Sequence, residues 1–198
     1  MRNKSIFGSK LAILGILSFQ LLSAEIEQVG LYWKQGVCKD NCAMLLHKRL
    51  LETKGVARVS LNADGGEASL NWVPGEPFSY RDVKRPMQRV GLGLEEIWVK
   101  VRGSIQKTSK GLKLVSFGDN TTFTLISPMP EGERQGQKRK SLGLRRLDDF
   151  TKEKLLIGTQ GDQLVTVEGP LLSPHRAPPY YLIIENFKFE DRPVKSFE

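Results

Sequence analysis

Cys38 and Cys42 are the only cysteines of the 198-residue chain, four positions apart where a strand-like segment gives way to a helical run. A thiol pair in that setting is a small soft-metal or redox device. Copper(I) favours thiolate ligands and is often held by only two of them. A helix N-terminus stabilises negative charge and lowers a nearby thiol pKa, which favours both metal binding and disulfide exchange. In an oxidising compartment the same pair would normally close a disulfide. Reversible metal binding, a structural or redox disulfide, and two inert thiols all remain open on the spacing alone.

Other groups add little to this pair. Zinc needs more ligands than two cysteines supply. His47 stands five residues past Cys42, off its side of the helix, and His175 lies in a Pro-rich loop. There is no Gly-x-Ser-x-Gly, His-Glu-x-x-His or phosphate loop, and without such a constellation the chain reads as a non-enzyme.

The elements that must position the cysteines follow from hydrophobic period. Ile26 to Lys34, with Leu31, Tyr32 and Trp33, reads as a strand. From Asn41 to Thr53, Cys42, Leu45, Leu46 and Leu50 recur at helical spacing, with Asp40 or Asn41 to cap the first turn and Gly55 to end it. Val56, Val59 and Leu61 begin a second strand and Ala68, Leu70 and Trp72 a third, joined through the turn cluster Asn62 to Gly66. Ser79 and Asp82 resemble a capping box before the stripe Val83, Met87 and Val90, within which Pro86 should kink the helix or delay its start. Glu95 to Val101 is the next strand. This β-α-β-β-α-β order predicts a ferredoxin-like arrangement.

Beyond residue 97 the pattern turns β-rich. Ile97, Val99 and Val101 alternate, then Leu112, Leu114 and Val115, then Phe123, Leu125 and Ile126, with Leu164 to Leu172 and Tyr180 to Phe189 further on. Five such strands fit a small closed barrel. The strand at Glu95 to Ile105 can belong to either unit or to both. The insert Glu131 to Lys154 carries Lys138-Arg139-Lys140 and Arg145-Arg146, with a short helix expected around Leu144 to Lys154. It reads as a solvated loop or as a patch for an anionic ligand or membrane surface. Trp33, Trp72 and Trp98 are expected on strands, in the core or on a sheet surface.

Arg2, Lys4 and Lys10 precede the apolar run Leu11 to Leu22, and Ser23-Ala24 offers a small-residue cleavage site. Residues 1–24 therefore read as a secretory signal peptide. Its removal lowers the formal net charge from +8 to +5. An exported, mildly basic chain makes nucleic acid an unexpected partner, and no transmembrane span is expected in the mature protein.

Taken with its surroundings, the cysteine segment resembles a heavy-metal-associated domain, the fold of small copper chaperones and of the N-terminal modules of copper-transporting ATPases. The matching pieces are Gly36-Val37-Cys38, Cys42, Leu46, Leu50, Gly55-Val56, Val59, Leu61-Asn62 and Ala68. The family motif is Gly-Met-x-Cys-x-x-Cys. Here one residue is added between the cysteines, Val37 replaces the Met that plugs the core beneath the loop, and Gly91-Leu92 stands where the family often has Gly with an aromatic residue. Residues 96–198 resemble an oligonucleotide/oligosaccharide-binding (OB) fold, in strand order and in the stretch Gly161 to Gly169.

The resemblance implies an α+β chain: a signal peptide at 1–24, a ferredoxin-like domain at 25–95, and a five-stranded OB-like barrel at 96–198. It further implies an exported protein that holds copper(I) through Cys38 and Cys42 for delivery or buffering, with a protein metal donor or acceptor as partner. The alternative is a metal-free envelope binding or scaffold module that uses the barrel, with the cysteines in a disulfide.

Overall fold

The computed structural model describes residues 26–128, 146–159 and 163–190. The expected signal peptide at 1–24 and most of the basic insert fall outside these. Strand β1 (Ile26–Tyr32) leads to helix α1 (Asn41–Leu51), the strands β2 (Val56–Asn62) and β3 (Glu67–Trp72), helix α2 (Tyr80–Arg89) and the long strand β4 (Glu96–Thr108). Then follow β5 (Gly111–Ser116), β6 (Thr122–Ile126), helix α3 (Asp149–Thr159), β7 (Leu164–Leu172), β8 (Tyr180–Ile183) and β9 (Asn186–Glu190).

Alternation decides which face each strand buries. Val29 and Leu31 of β1, Ala68, Leu70 and Trp72 of β3, and Ile97, Val99 and Val101 of β4 turn inward. They share one buried cluster with Leu46 and Leu50 of α1 and with Val83 and Met87 of α2. The period-two pattern of the strands and the helical stripes thus bury a common surface.

The nine strands form one sheet in the order β2-β3-β1-β4-β5-β6-β8-β7-β9, and a further β4–β7 pairing closes a ring. That ring, β4-β5-β6-β8-β7, is a closed five-stranded barrel in which β6 and β8 run parallel and the other neighbours antiparallel. Leu112, Leu114, Phe123, Val165, Val167 and Leu182 are buried in the same cluster as the helix-covered residues. Closure removes the open edge that a five-stranded sheet would otherwise expose.

The expected fold class needs correcting. An α+β chain with a ferredoxin-like domain ahead of a separate barrel is not what forms: the molecule is mostly β, with three α-helices against nine strands among the described residues. The barrel itself is present, and the elements ahead of it share one continuous sheet and one buried cluster with it. The reason lies in β4, a single thirteen-residue strand whose alternation buries Ile97, Val99, Val101 and Gly103 in turn. Residues 96–101 pair with β1, residues 103–108 with β5, and residues 98–103 with β7 along the other edge. Gly103 makes the transition possible, since a Cβ there would lie 2.1 Å from the Val115 carbonyl oxygen. A row of rings also crosses from one half to the other: Trp72 meets Phe78 at 5.5 Å between centroids, Phe78 meets Tyr180 at 5.2 Å, and Tyr180 stacks on Phe123 at 5.8 Å.

Local expectations fare unevenly. Gly55 is left-handed at φ 87°, with the Trp72 ring packed where a side chain would be. Neither helix start is capped as expected: Asp40 has φ 41° and Ser79 is extended, and neither side chain accepts a cap hydrogen bond. Pro86 is buried inside α2 without delaying its start. Trp33 and Trp72 are core residues, whereas Trp98 stays partly exposed.

Candidate functional site

The loop between β1 and α1 turns at Gly36, whose φ is 72°, and reaches the helix through Asp40, also left-handed. The Cys42 amide donates to the Lys39 carbonyl at 2.9 Å and the Met44 amide to the Asp40 carbonyl at 3.2 Å. This tight winding brings the Cα atoms of Cys38 and Cys42 to 5.2 Å, and their sulfurs are joined in a disulfide. The separation lies in the ordinary range for such a bridge.

Burial within the loop departs from expectation. Val37, expected as the core plug, is 51% exposed, and Cys38 is wholly buried in its place. Cys42 packs against the core only in part. Met44, Leu45 and, at the far end of the helix, Leu51 of α1 face outward.

As arranged, the two sulfurs do not fit copper(I). A soft cation binds thiolate, and both sulfurs here are bonded to each other. No group of three or more His, Cys, Asp or Glu that could hold a metal ion occurs among the described residues. His47 is partly exposed on α1, and His175 is exposed in a single 3-10 turn at Pro174–Arg176, on the barrel side of the molecule.

The barrel carries shaped surface of its own. One hollow of about 420 Å³ lies between the β4–β5 hairpin and the start of α3, lined by Lys107, Lys110, Arg146 and Lys152 among others. A second, of about 450 Å³, lies where Ser79, just ahead of α2, and Arg81 of α2 meet Thr121, His175 and Tyr180. There the Tyr80 amide donates to the Tyr180 hydroxyl at 3.1 Å, and burial raises the Tyr180 pKa above its ordinary value. Sequence reasoning missed both hollows, because each draws on segments far apart in the chain. Helix α3 was foreseen near Leu144 to Lys154 but runs from 149 to 159.

No helix among the described residues is long and apolar enough to cross a membrane. Comparison of the chain with protein-family models, with curated proteins and with solved structures finds no match.

Proposed function

We propose that this protein is an exported, non-catalytic binding module: a helix-covered sheet braced by a disulfide carries a β-barrel that contacts its partner. The observation that carries the reading is the bond between Cys38 and Cys42, with Cys38 sealed in the core. A disulfide in this loop fixes the start of α1 and leaves no thiolate for a metal. It is at home in an oxidising compartment, which agrees with an exported chain. The barrel supplies the partner-facing surface, since its loops and α3 enclose hollows lined by charged and hydroxyl side chains.

The test is a copper(I) titration of the chain purified without reductant, in competition with a chromophoric chelator and beside a Cys38→Ser/Cys42→Ser variant. The two proteins should be indistinguishable. One tightly held equivalent in the wild type that the variant lacks would overturn the reading in favour of a metal carrier.

A further inference from the structure

We infer that the cleft between the β4–β5 hairpin and the first turn of α3 is a binding site for a phosphate-bearing oligoanion. This inference rests on the proposal that the barrel is the partner-facing part of the molecule.

The cleft has two walls, each held in place by its own hydrogen bonds. On the hairpin side, the Thr108 hydroxyl donates to the Gly111 carbonyl at 2.9 Å and accepts from the Lys110 amide at 3.3 Å. This pins the turn from which Lys107 and Lys110 project. On the helix side, the Ser127 hydroxyl donates to an Asp148 carboxylate oxygen at 2.5 Å and accepts from the Asp148 amide at 3.0 Å. The other carboxylate oxygen accepts the Thr151 amide at 2.8 Å. Asp148 thereby clamps the start of α3 to the end of β6, and with it Arg146 and Lys152. Leu112, almost fully buried, and Leu147, packed against the core, also line the cleft.

Charge and volume then define the ligand. Four cations, Lys107, Lys110, Arg146 and Lys152, face one carboxylate, Asp149. The salt bridges among the described residues engage other cations, namely Arg49, Lys54, Lys100 and Arg102. Among the described residues, then, no salt bridge engages the cations that share this cleft, a like-charged lining that a multiply charged anion relieves. Three of the four are lysines, which bind phosphate as point charges, and Arg146 adds a fork that a phosphate can meet with two oxygens. The hydroxyl of Ser109 adds a donor, and the positive end of the α3 dipole has the same sign as the cations. A volume of about 420 Å³ accommodates a short run of phosphates. Both a free phosphate chain and an anionic lipid headgroup present this chemistry.

The experiment titrates the isotope-labelled full chain with inorganic tripolyphosphate, and in a parallel arm with vesicles of phosphatidylglycerol in phosphatidylcholine. Amide shifts confined to residues 107–112 and 146–152 are expected in at least one arm, and the responding arm identifies the source. Lys107→Gln/Lys110→Gln should weaken that binding about tenfold, as expected for two partly solvated charge pairs. Lys48→Gln/Arg58→Gln removes the same charge from the opposite half and should leave it unchanged. Equal weakening by both variants, or no binding in either arm, refutes the site. Shifts on another face of the barrel also refute it while leaving the binding-module reading intact. A wild-type copper equivalent absent from the cysteine variant refutes that reading instead.

Discussion

Reducing the Cys38–Cys42 bond should destabilise the protein by an amount that its loop length sets. The bridge spans a sequence separation of four. For so short a loop, the entropy removed from the unfolded chain corresponds to about 2 kcal/mol at 25 °C. For a domain of this size that is a loss of roughly 4–8 °C in melting temperature. Cys38→Ala/Cys42→Ala should cost about 1 kcal/mol more, because the Cys38 sulfur is buried and its removal leaves a small cavity. Urea unfolding followed by tryptophan fluorescence suits the measurement, since Trp33 and Trp72 both lie in the core. The ordering oxidised, then reduced, then double alanine is the expected result. Equal midpoints for the oxidised and reduced chains would refute the reasoning, for the bridge would then constrain nothing.

Two further outcomes test how the barrel is joined to the rest. Gly103→Ala places a methyl group against the Val115 carbonyl oxygen and should destabilise by about 3 kcal/mol through backbone displacement, read as a lowered urea midpoint; no change would mean that β4 passes into the barrel less tightly than described. Hydrogen bonds from the Ser127 hydroxyl and the Thr151 amide lower the Asp148 pKa to about 2. Its contribution is therefore fully present above its ordinary value near 3.8 and lost as pH falls through about 2. Asp148→Ala should cost about 1 kcal/mol at neutral pH, as for a lost helix cap, and the wild-type and variant stabilities should converge below that window in acid titration.

Much of the architecture was legible because burial follows period. Leu46 and Leu50 on α1, Val83 and Met87 on α2, and Val99 and Val101 on β4 are where the hydrophobic pattern puts them. What escaped was long-range. Whether β4 ends one unit or joins two depends on which strands reach its edges, and β1, β5 and β7 all do. At the start of α1 the cap failed locally: Asp40 stands at φ 41°, outside the extended backbone of an ordinary N-cap, and its side chain makes no cap hydrogen bond. At the cysteines, spacing identified the pair but left its state open. That Cys38 would be buried and Val37 exposed was not legible either. Of the cationic cleft, the insert that holds Arg146 and Lys152 was legible as a basic segment, but not its other wall, because Lys107 and Lys110 meet them only once the hairpin and α3 are folded together.

The central claim concerns the state of the cysteines in the protein as it is made. The most direct measurement is the free-thiol count and metal content of the chain purified without reductant from cells grown with added copper. The account predicts no free thiol, an intact mass two hydrogens below that of the reduced form, and no bound copper. Two free thiols accompanied by one copper per chain would contradict it.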